Sequence, residues 1–190
     1  MTTNRGKMVI IVAPSGTGKS SLIKKLLLEF PILQWSVSHT TRPMRPGEEQ
    51  GKDYFFTTVD KFKSEIEQDA FVEWALVHGH YYGTSRRFVE GGLNNGHYLL
   101  FDVDVQGADK LLKDFRKDAV AIFITPPSIE DLSERLKKRG TDSPEVIERR
   151  LKNARDELKR KNDFDKLVLN ENFDLAYEEL KIIFKDILRT

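Results

Sequence analysis

Unbroken apolar runs stand at intervals along this chain, with helically spaced apolar residues between them. Met8-Val9-Ile10-Ile11-Val12, Tyr98-Leu99-Leu100-Phe101 and Ala119-Val120-Ala121-Ile122-Phe123-Ile124 do not alternate with polar positions, so each predicts a strand covered on both faces. Leu167-Val168-Leu169 is a shorter run of the same kind, and Trp35-Ser36-Val37-Ser38 predicts a weaker strand. Leu22, Ile23, Leu26, Leu27 and Phe30 recur at helical spacing and stop before Pro31, while Leu180, Ile183, Phe184, Ile187 and Leu188 mark one side of a carboxy-terminal helix. Strands alternating with helices predict an α/β fold with a parallel sheet between two helical layers.

Two segments break that rhythm. From about Ser38 to Arg87 the chain is rich in polar and aromatic residues, with turn signals at Arg42-Pro43, Arg45-Pro46-Gly47 and Tyr82-Gly83 and strand-like pieces at Tyr54-Phe55-Phe56 and Phe71-Val72-Glu73-Trp74. This predicts a small inserted lobe over 36–87. The second segment, 126–161, is crowded with charge and predicts solvated helices with a thin apolar stripe, Ile147, Leu151, Ala154 and Leu158. The core is then left to 1–35, 88–125 and 162–190.

The length of 190 residues suits one compact unit of one or two lobes. Lys plus Arg (31) nearly balance Asp plus Glu (30), so the charge of +1 gives no general reason to expect nucleic acid or an anionic membrane as partner. The absence of cysteine removes disulfides, thiolate chemistry and zinc-thiolate sites, and fits a reducing cytoplasm. No apolar run approaches the ~20 residues that span a bilayer, and the amino terminus has no secretory pattern, so a cytoplasmic location is expected.

The first apolar run empties into Ala13-Pro14-Ser15-Gly16-Thr17-Gly18-Lys19-Ser20-Ser21. After a buried strand, Gly16 and Gly18 let the backbone curl so that successive N–H groups face one point, and the next helix adds its positive dipole end. Such a concavity holds a polyphosphate. Lys19 reaches the outer phosphates, and the Ser20 hydroxyl is placed to ligate a Mg²⁺ that bridges them. Ala13 stands where the motif usually opens with glycine, which requires an ordinary backbone conformation there. At the end of Tyr98–Phe101, where open α/β sheets place ligands, Asp102 and Asp104 share a side. Asp102 is a candidate acidic partner of the metal through water, with capping of a helix terminus as the alternative. His39, His78, His80 and His97 have no metal-ligand spacing and no nucleophile to serve.

A phosphate loop is shared by motors, switches and many kinases. The string Ser38-His39-Thr40-Thr41-Arg42-Pro43-Met44-Arg45-Pro46-Gly47-Glu48, continued by Gly51-Lys52-Asp53-Tyr54-Phe55-Phe56, places two arginines and a tyrosine in a turn-rich segment. These are donors that suit a phosphate group. With Phe71-Val72-Glu73-Trp74-Ala75, Tyr82-Gly83-Thr84, Asp102-Val103-Asp104-Val105-Gln106-Gly107 and Arg135-Leu136 through Arg139-Gly140-Thr141, the chain resembles the guanylate kinase family over nearly its whole length.

The resemblance implies a three-layer P-loop fold with a central parallel sheet, an inserted α+β lobe for GMP over 36–87 and a helical lid over 126–161. It implies transfer of the γ-phosphoryl group of ATP to GMP, with dGMP as a further acceptor, in purine nucleotide metabolism, with Mg²⁺ as cofactor. By position, Arg42, Arg45, Tyr54 and Tyr82 would hold the acceptor phosphate, and Ser38, Glu73, Thr84 and Asp104 would face the guanine. Residues 13–21 would hold ATP with Asn170 near its adenine, and Arg135, Arg139 and Arg150 would act from the lid, so that Lys19, Arg42 and the lid arginines form the catalytic set. Two other classes stay open at this point. Peptide-binding relatives of the family typically have a damaged phosphate loop, and a P-loop kinase for another small acceptor would lack a reason for Glu73.

Overall fold

The computed structural model describes residues 5–77, 79–140 and 142–189, with the side chain of Arg139 outside that description. His78 and Thr141 therefore lie outside the described residues. The first element among the described residues is β1 (Lys7–Val12), in which Met8 to Val12 have no solvent exposure, as an unbroken apolar run requires. The phosphate-loop residues lead into α1 (Lys19–Glu29), which turns Leu22, Ile23 and Leu26 inward. β2 (Leu33–Trp35) follows.

The inserted region holds β3 (His39–Thr40), β4 (Phe55–Phe56), α2 (Val59–Glu67), β5 (Phe71–Val77), β6 (His80–Ser85) and α3 (Arg86–Asn94). After it come β7 (Tyr98–Asp102), α4 (Val105–Phe115), β8 (Ala119–Thr125), α5 (Ile129–Arg139), α6 (Pro144–Lys159), β9 (Lys166–Leu169) and α7 (Phe173–Arg189). A five-stranded sheet runs in the order β2-β7-β1-β8-β9, parallel from β2 to β7 (Leu33 opposite Tyr98) and from β8 to β9 (Ile122 opposite Lys166). A four-stranded sheet runs β4-β3-β6-β5.

The residues group into two compact units. One comprises Ile32–Phe101 and Gln106–Ala119 with the chain up to Met8, and the other Val9–Pro31, Asp102–Val105 and Val120–Thr190. The first unit contains the segment expected as an inserted lobe, and the second the segment expected as a lid. In the first, Phe62 of α2 is fully buried and stacks on Phe71 and Tyr81, with ring centroids 4.4 and 5.3 Å away. In the second, Leu132 and Leu136 of α5 pack with Ala154 of α6, and Ile147 and Leu151 of the expected stripe close over them.

Two local expectations are corrected. The strand expected at Trp35–Ser38 lies earlier, at Leu33–Trp35, because Leu33 is the buried residue that anchors it and the chain leaves the ladder with Ser36 N–H on the Leu100 carbonyl. Tyr82-Gly83 is not a turn but the middle of β6. A Cβ on Gly83 would meet Phe62 at 2.9 Å and Phe71 at 3.0 Å, so glycine is there for close packing, while the turn between β5 and β6 carries Gly79 at φ 82°.

The helices start on the signals the chain supplies. Thr58, Ser85 and Ser128 accept hydrogen bonds from the first turns of α2, α3 and α5, Pro144 opens α6, and Gly140 ends α5 in the left-handed conformation. α1 differs. Its N-cap is Gly18, and its first turn carries neither a side-chain cap nor an acidic residue.

Candidate functional site

Gly16 and Gly18 both have positive φ, 96° and 95°, which lets the chain double back between β1 and α1. Ala13 is buried and is not among the residues of positive φ, so the methyl group in place of the usual first glycine meets no left-handed backbone. The turn is held internally by Thr17, fully buried, whose N–H and Oγ1 both donate to the Pro14 carbonyl at 3.2 and 2.7 Å. Gly16 has a second constraint. A Cβ there would lie 2.9 Å from Leu136 and 3.1 Å from Leu132, so α5 packs directly on the loop.

This loop forms one wall of a cavity of about 560 Å³ whose lining includes Lys19, Ser20, Asp102, Asp104, Arg135 and Glu157. Lys19, the first residue of α1, forms an ion pair with Asp102 and donates to the Val103 carbonyl at 3.2 Å. A cation and a helix amino terminus thus face the same space, which suits a polyphosphate. Two of the expected lid arginines reach this region. Arg135 lines the cavity and donates to the carbonyls of Asn170 and Glu171 at 2.9 and 3.3 Å, and Arg150 donates to Ser15 Oγ at 3.4 Å while pairing with Asp142 at 3.2 Å. Asn170, buried, donates from Nδ2 to the Thr17 carbonyl at 2.6 Å.

Glu157 of α6 was not singled out by the sequence, although it is seven residues from Arg150 and so shares a helix face with it. Burial pushes its carboxyl up to about 7 from the ordinary 4.5, with Asp104 adding to the rise and Lys19 opposing it. The folded chain therefore holds this proton more tightly than the unfolded chain, and raising the pH from 4.5 through about 7 removes stability at this position. Glu157→Gln carries no such titration. In urea denaturation at a series of pH values, the variant is expected to gain on the parent across that window and keep the gain above it; parallel curves would remove Glu157 from this account.

The expected acceptor residues of the first unit divide into two groups. Tyr54 and Tyr82 have ring centroids 6.0 Å apart, and the Arg42 guanidinium lies 5.3 Å from the Tyr54 ring and 5.7 Å from that of Phe56. Two residues along β6 on the same face as Tyr82, Thr84 is buried and donates from Oγ1 to Glu73 Oε1 at 2.6 Å, in the register Glu73 opposite Thr84. Ser38 adjoins β3 and accepts from the Phe55 N–H at 2.9 Å. Arg45 is exposed, and its backbone N–H donates to Glu48 at 2.8 Å. Asp104, expected with the guanine set, lines the phosphate-loop cavity of the second unit.

Glu48 is the residue this segment adds. Its two carboxylate oxygens accept from both terminal nitrogens of Arg42, at 2.7 and 3.1 Å, in the bidentate geometry that arginine also offers a phosphate. The Arg42 bond holds the Glu48 carboxyl below its ordinary range, helped by the Arg45 N–H, and Glu48 raises Arg42 in turn.

Over 178 residues the chain is 48% identical to a guanylate kinase of Polaromonas sp., covering 94% of this chain and 86% of that one. Over 174 residues it is 47% identical to a guanylate kinase of Thermotoga maritima, covering 92% and 84%. The crystal structure of guanylate kinase from Anaplasma phagocytophilum superposes with a TM-score of 0.74 at 30% identity, over 96% of this chain and 86% of that one. The family model described as Guanylate kinase matches residues 5–187, a span that takes in the loop, the Arg42 to Tyr82 cluster and the helices that carry Arg135 and Arg150, and the chain belongs to the guanylate kinase family.

Proposed function

We infer that this protein transfers the γ-phosphoryl group of ATP to GMP, giving ADP and GDP. The observation that carries the acceptor's identity is Glu73, held by Thr84 on the strand face it shares with Tyr82. Guanine presents N1–H and the N2 amino group side by side, so one carboxylate can accept both, whereas adenine offers an acceptor at that edge. The Arg42, Tyr54 and Tyr82 cluster supplies phosphate donors in the same unit, with Arg45 and Ser38 completing the acceptor set. In this reading Asp104 contributes to guanine selection and dGMP is a second acceptor.

The donor triphosphate is assigned to residues 13–21, with Lys19 on its outer phosphates. Ser20 and Asp102 line the cavity and offer the oxygen donors a Mg²⁺ ion prefers. Ser20 would hold it directly and Asp102 through water, and its charge would neutralise the β- and γ-phosphate oxygens.

The acceptor is itself a phosphate whose second proton leaves near pH ~6, so its attacking oxygen is largely ionised at neutral pH and no strong general base is required. The chain's task is to align that oxygen with the γ-phosphorus and to neutralise charge as it spreads over the transferring group. Lys19 and Arg42 do so from donor and acceptor, and Arg135, Arg139 and Arg150 from the segment proposed as a lid. Covering the site also keeps water from taking the acceptor's place. The domain reading that goes with this is a core of 1–35, 88–125 and 162–190, a GMP lobe of 36–87 and a lid of 126–161. The activity serves purine nucleotide metabolism in the cytoplasm, and neither nucleic acid nor a membrane is needed for it; no described helix is long and apolar enough to cross one.

A peptide-binding role would leave Lys19, Gly16 and Gly18 without a use. The deciding measurement is a coupled ADP-release assay over a panel of acceptors. Turnover is expected with GMP and dGMP and only background with AMP, CMP and UMP, and equal rates across the panel would refute the assignment.

A further inference from the structure

Asn170 stands just past β9, where its backbone N–H donates to the Thr125 carbonyl at the end of β8 at 2.8 Å. The residue is 4% exposed, and the side-chain group facing the Thr17 carbonyl must be its NH₂, since a carbonyl can only accept. In a trans peptide the C=O and the following N–H point in opposite directions, so fixing the Thr17 carbonyl fixes where the Gly18 N–H points. Gly18 lines the phosphate-loop cavity. A Cβ on Gly18 would stand 2.8 Å from Asn170 Nδ2, so the missing side chain is what allows the amide this close. On the other side of the same peptide, Thr17 is held by Pro14. The backbone carbonyl of Asn170 in turn accepts from Arg135, so one residue ties the loop with its side chain and an arginine of the cavity with its main chain.

We propose that Asn170 is a positioning residue for the donor's phosphates: its side-chain NH₂ locks the Thr17–Gly18 peptide in the orientation that serves a polyphosphate. The inference rests on the ATP-site reading above and deepens it. It requires a hydrogen-bond donor at Nδ2. A carboxylate of the same shape would set an acceptor against an acceptor, and only its protonated form could restore the bond.

The test is calorimetric titration of the parent, Asn170→Ala and Asn170→Asp with ATP, with tripolyphosphate, which has no base, and with GMP. Asn170→Ala is expected to weaken ATP and tripolyphosphate alike by about ten-fold, as loss of a buried hydrogen bond would, with GMP affinity within two-fold of the parent. Asn170→Asp is expected to be weak at alkaline pH and to recover toward acid. Loss of ATP affinity with unchanged tripolyphosphate affinity would overturn the proposal in favour of a base contact. Unchanged affinity for both would overturn it outright, as would a parallel fall in GMP affinity or an aspartate variant that stays weak at every pH. A parent that bound neither ATP nor tripolyphosphate would instead overturn the donor-site reading itself.

Discussion

Lys19→Ala is expected to lower turnover by about a thousand-fold or more, the scale seen when a preorganised charge is removed from a water-excluded phosphoryl-transfer site. The side chain opens α1 and extends into the cavity, where it holds Asp102 and the Val103 carbonyl. Its loss should leave the core packed. The Asp102 side chain is 27% exposed, so water can solvate the carboxylate left behind, and circular dichroism should report a folded chain. At saturating ATP and GMP the deficit should remain, because the missing interaction is one that strengthens as charge develops on the transferring group. Near-parental turnover in a coupled ADP-release assay would refute the donor assignment.

The second large effect concerns discrimination. Glu73→Ala is expected to reduce the preference for GMP over AMP, measured as a ratio of kcat/KM values, by about a hundred- to a thousand-fold, because a buried site that hydrogen-bonds its substrate rejects the mismatched base strongly. The alanine variant also leaves Thr84 Oγ1 without the acceptor it bonds at 2.6 Å. Glu73→Gln controls for that, since the glutamine carbonyl can still accept from Thr84 while the second carboxylate oxygen is lost. Arg42→Ala should behave differently, lowering kcat/KM for every monophosphate with little change in base preference. An unchanged ratio in Glu73→Ala would show that the base is read elsewhere.

The phosphate loop was legible because its chemistry is local. A buried strand, two glycines, a lysine, a serine and a helix follow one another without interruption, and the structure keeps them in that order from β1 into α1. The long apolar strands were legible for a similar reason, since burial on both faces leaves an uninterrupted run. What escaped was non-local. Gly83 looked like a turn because glycine is a turn residue, and only the rings of Phe62 and Phe71 pressing on it disclose its actual use. Glu48 lay within the string that carried the family resemblance, yet nothing in its spacing announces that it grips both terminal nitrogens of Arg42. The packing of Leu132 and Leu136 against Gly16 depends on how α5 lies on the loop, which no spacing within either segment encodes. Glu157 is an intermediate case: helical spacing could align it with Arg150, but its raised carboxyl depends on burial, which periodicity does not encode.

The bond from Asn170 to Thr17 joins positions 153 residues apart in the chain. Synthesis therefore makes the phosphate loop well before its lock. β1 lies between β7 and β8 in the sheet, so the strand that launches the loop also waits for partners made much later. Long-range closures of this kind come late in folding and leave apolar segments uncovered in the meantime. Until β8 is made, the apolar residues of Met8–Val12 lack one of their two neighbouring strands and stay open to unwanted contacts. The loop's final shape is set only after residue 170 is free.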